Sequence, residues 1–339
     1  MGGEALRVLI DHPHVEIAWA TSRQPAPIEE FHPNLYGTGI ELIHPDDAEA
    51  CDVVFMALPT EASVDTARRF LDTNTRVIDL GSAFRLRDRE TWERVYEMVH
   101  PAWSLAEQAV YGINEMHLEE IAQARLIANP GCFSSAAILG LAPVVGNGLV
   151  DTEKLSVDGL SGTAGAGAEL ARAAHHPEIG NNLVAYNAVG HRHTFEMEQE
   201  LSLLSQAQVY VHFTPVYVPI TRGILAICRG FLNQSVSRDD LLQLYREYYQ
   251  PHPFVQLYDL PKEPSASWQY KPYPWVSAIA GTNYCHIGLD VDEQRNSVVV
   301  FSALDSVGKG GAQVGVENMN IMSGFDRTTG LARRGLHPN

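Results

Sequence analysis

Through residues 1–131 the chain alternates short β-rich runs with helix-type patterns, the signature of a parallel sheet covered by helices. Residues 4–11 read as a helix, residues 15–21 as a strand, and residues 52–58 as a second, more continuously apolar strand. Pro59 and Thr60 then lead into a helix over residues 61–71. Residues 76–80 form another buried strand, a charged helical stretch covers residues 87–98, and the short strand 126–128 ends in Asn129-Pro130-Gly131-Cys132.

From Cys132 onward the pattern changes. An apolar helix runs to residue 145, and longer β-type runs follow at 154–160, 208–218, 223–231, 285–291 and 297–304. Ser237 with Asp239 and Asp240 predicts the capped start of a helix reaching Tyr249. Residues 259–275, rich in proline and aromatics, predict a loop, and residues 310–325 a last helix that returns to the first domain. The expected class is α/β. A Rossmann-type dinucleotide-binding domain takes residues 1–131 and 306–339, and a mixed-sheet domain takes residues 132–305.

A dinucleotide-binding domain usually opens with a buried strand and a glycine-rich turn. This chain begins Met1-Gly2-Gly3-Glu4, which reads as the end of such a turn. The first strand and most of the phosphate-cradling loop are therefore expected to be missing, and dinucleotide binding to be weak. Gly2 and Gly3 remain as candidates near the phosphates.

Charge narrows the partners. Lys and Arg number 24 against 41 Asp and Glu, a net charge of −17, which argues against a nucleic-acid backbone or anionic membrane surface. No apolar run reaches the roughly 18–20 residues that span a bilayer, and no signal-peptide pattern opens the chain, so a cytoplasmic location is expected. Cys51, Cys132, Cys228 and Cys285 are far apart, which predicts neither a zinc site nor a disulfide framework.

The motif that carries chemistry is Asn129-Pro130-Gly131-Cys132-Phe133-Ser134-Ser135. Proline and glycine allow a sharp turn that presents the sulfur at a helix N-terminus, where free N–H groups favour thiolate and can hold an oxyanion. The alternative reading is a small cysteine filling space at a strand end. The second cluster is Gly190-His191-Arg192-His193-Thr194-Phe195-Glu196. With a helix starting near Thr194, His193 precedes it and Glu196 lies in its first turn, able to orient an imidazole that moves protons. Arg192 or Arg222 can fork onto a substrate carboxylate or phosphate. A metal site built from His175, His176, His191 and His193 is the rival; no helical His-x-x-x-His pattern supports it.

Two glycine-rich stretches, starting at Ser161-Gly162 and at Val307-Gly308-Lys309-Gly310, permit close backbone approach to a phosphate or nicotinamide. Thr21-Ser22-Arg23 ends a strand where an acidic residue would serve NAD; a serine and an arginine there favour the 2′-phosphate of NADP.

Taken in order, these landmarks resemble the N-acetyl-γ-glutamyl-phosphate reductase family. The match runs from Thr21-Ser22-Arg23 through Ala57-Leu58-Pro59, Asp79-Leu80 with Phe84-Arg85-Leu86, Tyr111-Gly112 and Asn129-Pro130-Gly131-Cys132. It continues with Ser161-Gly162, His191-Arg192-His193-Thr194, Phe213-Thr214-Pro215, Thr221-Arg222-Gly223 and residues 316–322. The resemblance implies a thioester on Cys132, reduction by NADPH, a glyceraldehyde-3-phosphate-dehydrogenase-like second domain, and a homodimer or homotetramer. It implies acid/base work by His191 or His193, with Glu196 better placed to orient His193. It also implies cofactor contacts from Leu58, Pro59, Ser161, Gly162, Lys309, Gly310 and Asn318, and substrate contacts from Arg85, Asn129, Arg192 and Arg222.

Phe133, Phe195 and the Asp79-Leu80-Gly81-Ser82-Ala83-Phe84-Arg85 run depart from the usual family pattern. His175-His176-Pro177-Glu178 and Gly335-Leu336-His337-Pro338 are similar to the carrier-protein-linked aminoadipyl-phosphate reductases of lysine biosynthesis, the runner-up. Two other readings stand beside these: a catalytically silent member that only oligomerises, and a cysteine hydrolase using Cys132 and His193 without a nucleotide.

Overall fold

Gly2–Leu9 form the first helix, α1, in the computed structural model, which describes residues 1–167, 171–259 and 272–336. Its buried residues Ala5, Val8 and Leu9 follow the spacing of one helix face. The expected strand over residues 15–21 is corrected: only β1 (Ala20–Thr21) forms, paired in parallel with β2 (Leu42–Ile43). A β-type run becomes a strand only where a neighbour takes its backbone hydrogen bonds. Among the described residues β2 is that neighbour, and it reaches two residues.

A four-stranded parallel sheet follows from the predicted alternation. Its elements are β3 (Val53–Met56), α2 (Thr60–Asp72), β4 (Arg76–Asp79), α3 (Arg89–Tyr96), α4 (Trp103–Ala106), β5 (Val110–Tyr111), α5 (Leu118–Gln123) and β6 (Leu126–Ala128). The strand order is β3-β4-β6-β5. Strands this short hold because both faces are covered, and Val77, Ile78, Leu126 and Ile127 are all buried.

Next comes α6 (Cys132–Gly146), in which every residue from Phe133 to Val145 is buried. A helix apolar all round belongs inside a protein. Around it fold β7 (Leu155–Ser161), α7 (His176–Ile179), β8 (Val184–Ala185), α8 (Arg192–Ser205), β9 (Val211–Tyr217), β10 (Ile224–Phe231), α9 (Arg238–Tyr249), β11 (Val255–Leu257), β12 (Cys285–Asp292) and β13 (Ser297–Leu304). These strands make one mixed sheet in the order β11-β12-β13-β10-β7-β9-β8. Ser237 caps α9 reciprocally with Asp240, as its sequence predicts.

Residues alternate across this sheet. Leu155 and Val157 of β7 and Ile224, Ala226 and Cys228 of β10 face the core shared with α6, α8 and α9. Leu160, Leu225, Ile227 and Phe231 alternate with them on the other face, and Phe231 is 54% exposed. Gly159 matters here: a Cβ on it would fall 2.6 Å from the Phe133 ring, so the bare glycine lets the start of α6 lie on the sheet.

After β13 a π-type turn (Gly308–Ala312) leads into α10 (Gln313–Met322). Val316, Met319 and Ile321 share a core with Ala5 and Val8 of α1 and with Ile78 and Ile127, so the last helix returns to the first sheet. The loop predicted over residues 259–275 falls mainly on residues 260–271, which lie outside the described residues, as do His337 and Pro338.

Candidate active site

The site is assembled where β6 hands over to α6. The N–H of Asn129 extends the sheet by donating to the carbonyl of Asp79 at 2.9 Å. Pro130 and Gly131 then turn the chain, Gly131 is the N-cap, and Cys132 is the first helical residue. Cys132 keeps partial solvent access. Burial pushes its thiol up from the ordinary value, while the Arg85 guanidinium, the Phe133 N–H and Arg192 pull it back. The helix start was expected to favour thiolate, and this is corrected for the resting site: enclosure outweighs it, so the sulfur rests as a thiol.

Across from this turn, α8 begins at Arg192, two residues earlier than the sequence suggests. His191 is its N-cap, and its Nδ1 accepts the N–H of His193 at 3.1 Å. That bond requires a neutral ring at Nδ1, and burial with the neighbouring Arg192 holds His191 down at about 4. His193 therefore sits inside the first turn. Burial also keeps its imidazole neutral, with a pKa well below the ordinary histidine value. Its Nδ1 has no partner among the described residues. The ring packs over Gly131 so closely that a Cβ there would lie 2.5 Å from Nε2. Phe133, Phe213 and Tyr186 enclose the two histidines, with Phe133 centred 6.0 Å from each ring.

Glu196 lies one turn along α8 and is fully buried. One carboxylate oxygen accepts the N–H of Gly131 at 2.9 Å and the hydroxyl of Tyr111 at 2.7 Å. The other accepts Nη1 of Arg85 at 3.3 Å and lies 3.9 Å from Nε2 of His193. Burial would raise this carboxyl, but Arg85, His193, Tyr111 and the Gly131 N–H more than offset it and hold it at about 2. Glu196 thus grips the turn before Cys132 directly and acts on His193 through charge at longer range.

The other expected residues divide. Arg192 is exposed and makes no ion pair among the described residues. Asn129 donates to the carbonyl of Gly311 at 2.9 Å, and its buried Oδ1 has no partner among the described residues. Arg85 is buried against Glu196 and the carbonyl of Leu80. Arg222 forks onto Asp305 at 2.9 and 3.2 Å and reaches Glu4 at 3.0 Å, so its guanidinium is already engaged.

Among the expected cofactor contacts, Gly2 faces open space at the start of α1, and Gly3 is buried against the His32 ring. The Met1 side chain packs on Gly311, and Gly310 packs on Cys132, which brings the start of α1, the last glycine turn and Cys132 together. Thr21, Ser22 and Arg23 lie at the end of β1; Thr21 and Arg23 are exposed, and Arg23 makes no ion pair among the described residues. Leu58 and Pro59 precede α2, with Pro59 its N-cap. Ser161 is buried with its hydroxyl on the carbonyl of Gly162, whose N–H bonds Gly223. Lys309 and Asn318 are almost wholly buried in polar contacts, so neither presents a free side chain to a ligand. His175 and His176 sit at α7, and among the described residues no three His, Cys, Asp or Glu converge on a metal position.

Sequence reasoning missed Tyr111 as a partner of Glu196. The Tyr111-Gly112 pair was visible as a landmark, but nothing local to it announces a carboxylate 85 residues away.

Residues 1–124 match the family described as semialdehyde dehydrogenase, NAD binding domain, and residues 132–306 match semialdehyde dehydrogenase, dimerisation domain. Among curated proteins, the chain is 40% identical to an N-acetyl-gamma-glutamyl-phosphate reductase of Pelotomaculum thermopropionicum, covering 99% of this chain and 96% of the relative. It is 41% identical, with the same coverage, to a putative [LysW]-L-2-aminoadipate 6-phosphate reductase of Thermomicrobium roseum. Among solved structures, it is similar to a probable aspartate-semialdehyde dehydrogenase from Pseudomonas aeruginosa, with a TM-score of 0.66 at 16% identity over 95% of this chain and 96% of that one. An aspartate semialdehyde dehydrogenase with NADP from Candida albicans gives a TM-score of 0.63 at 15% identity over 95% of this chain and 97% of that one. At these identities the two structures speak for the fold.

Proposed function

The chain belongs to the semialdehyde dehydrogenase family, and we propose that it reduces N-acetyl-γ-glutamyl phosphate to the semialdehyde, releasing phosphate. The observation that carries this reading is the convergence on one turn of Cys132, His193 and Glu196. The sulfur starts α6, the imidazole packs on Gly131, and the carboxylate holds the Gly131 N–H. Such a set suits acyl transfer to sulfur.

In the resting site both thiol and imidazole are neutral, the forms needed for His193, whose Nε2 edge packs on the turn before Cys132, to take the thiol proton. The sulfur then attacks the acyl carbon. A carbon–sulfur bond forms, the carbon–oxygen bond to phosphate breaks, and a thioester remains on Cys132. The N–H groups at the start of α6 hold the carbonyl oxygen as charge develops on it. Arg192, exposed beside His193, is the cation available for an anionic group of the substrate. His191 is read as the cap that fixes the first turn of α8, which leaves His193 as the acid/base.

Part of a site for a nicotinamide dinucleotide is present: Ser22 and the exposed Arg23, which makes no ion pair among the described residues, suit a 2′-phosphate, and Gly2 faces open space at the start of α1. NADPH is therefore the proposed donor. When bound it supplies the hydride that converts the thioester to aldehyde, and Cys132 leaves as thiolate. The outer face of the seven-stranded sheet, where Ile227 and Phe231 point away from the core, is the proposed contact between two copies.

The Thermomicrobium relative supports a second reading, a substrate one methylene longer and joined to a carrier protein. Phosphate-dependent NADP reduction, measured with N-acetylglutamate semialdehyde and with the carrier-linked aminoadipate semialdehyde, separates the two. Activity on neither overturns the proposal.

A further inference from the structure

Lys309 is 1% exposed, and its Nζ lies 2.8 Å from Oε1 of Glu115 and 2.8 Å from Oε2 of Glu317. The second carboxylate is shared: Asn283 donates to it at 2.8 Å, and Arg327 reaches its other oxygen through Nε at 3.0 Å and Nη2 at 2.8 Å. Arg327 also bonds Asn114 at 2.5 Å, Asn114 bonds Asn318 at 3.1 Å, and Asn318 donates to the carbonyl of Gly112 at 2.8 Å. One buried network therefore ties the turn before α10 to α10 itself, to the segment after β5 and to the chain beyond α10. An ammonium out of water is tolerated only where its partners hold it, so the main chain at residue 309 is fixed by these contacts.

The next residue touches the nucleophile. A Cβ on Gly310 would lie 2.9 Å from the Cβ of Cys132, and the carbonyl of Gly311 accepts the Asn129 side chain at 2.9 Å. On its other side the turn is held by Asp305, which accepts the N–H groups of Val307 and Gly308 and is gripped by Arg222. The wall beside the sulfur is thus main chain pinned at both ends by buried charge.

We propose that Lys309 is a positioning residue for the Cys132 chemistry, its ion pairs with Glu115 and Glu317 setting how closely the Gly310–Gly311 main chain stands to the sulfur. This rests on reading Cys132 as the nucleophile. A charge network that only stabilised the fold would leave turnover of folded enzyme unchanged when weakened.

The test uses Glu115→Gln, which removes one charge and keeps the shape, and Lys309→Met, which removes the ammonium and keeps the stem. Turnover, KM and the rate of Cys132 alkylation by iodoacetamide are measured on folded protein. The expected result is a fall in kcat of roughly 10- to 100-fold with KM nearly unchanged, as misplacement of reacting groups produces. Alkylation is expected to quicken as the wall loosens. Wild-type kcat and wild-type alkylation in folded Glu115→Gln overturn the proposal, including where Lys309→Met does not fold. Alkylation needs no substrate. If the wild type reduces neither semialdehyde, the proposed function fails while the alkylation comparison still decides the role of Lys309.

Discussion

Glu196 accepts the main-chain N–H of Gly131, the residue immediately before Cys132, at 2.9 Å. The same carboxylate holds Arg85 and Tyr111, so a charge on α8 fixes the start of α6. Glu196→Gln keeps a hydrogen-bond acceptor for Gly131 but leaves the buried Arg85 guanidinium without its counter-charge. The expected cost is about 3–5 kcal/mol of stability, with a kcat loss on the order of 100-fold in the folded fraction. Denaturant titration and steady-state kinetics on the same preparation check both, and full activity would show that the carboxylate charge does not serve the turn.

Gly131→Ala probes the fit between the two helices. The backbone there is extended, with φ of −71°, so alanine brings no backbone strain. Its methyl would meet the His193 ring at 2.5 Å and must displace it. Stability should drop by about 1–3 kcal/mol and kcat by at least about ten-fold. Gly146→Ala, at the other end of α6 with only Leu204 at 3.8 Å, is the matched control and should be neutral or slightly stabilising.

Acid should destabilise the protein through its buried histidines. His191 is held at about 4 by burial and Arg192, against an ordinary 6.5, and His193 is held lower than its ordinary value too. Below 6.5 the unfolded chain binds more protons than the folded one, so stability falls as pH drops from there towards 4. Glu196, at about 2 in the fold against 4.5, adds a further loss below 4.5. The His191 share amounts to at most about 3 kcal/mol. His191→Asn keeps a cap for α8 and removes this titration, so its Tm should decline less between pH 7 and pH 4. Parallel Tm profiles for the two proteins would contradict the assignment.

Ile227→Asp places a charge on the outer face of the seven-stranded sheet without touching the Cys132 side. Sedimentation should show an oligomer for the wild type and a smaller species for the variant at micromolar concentration. A variant that keeps the wild-type assembly moves the interface elsewhere.

Much of this was legible in the sequence. The apolar run after Asn129-Pro130-Gly131-Cys132 predicts α6, because an all-apolar helix needs no distant partner to be recognised. The strand runs at 223–231 and 297–304 became β10 and β13 for the same reason: their patterns are local. What failed depended on residues far away. Residues 15–19 have a β-type composition, but pairing is decided by what lies alongside them. Lys309 sits in a glycine-rich stretch that invites a ligand reading, yet its partner Glu115 is nearly 200 residues earlier in the chain. The sequence puts His193 one residue outside a helix, whereas α8 starts at Arg192, because a histidine cap, unlike serine or aspartate, leaves no clear mark in the sequence.

The central claim is a thioester on Cys132, and the most direct test omits phosphate. The enzyme is mixed with N-acetylglutamate semialdehyde and NADP alone, and NADPH formation is followed alongside the mass of the protein. The account predicts a burst of one NADPH per chain, a hydroxylamine-sensitive acyl adduct mapped to Cys132, and steady turnover once phosphate is added. Cys132→Ser should show no burst, while Cys51→Ser, Cys228→Ser and Cys285→Ser should keep it. A burst that survives in Cys132→Ser, or phosphate-dependent turnover in the wild type with no adduct on Cys132, would contradict it.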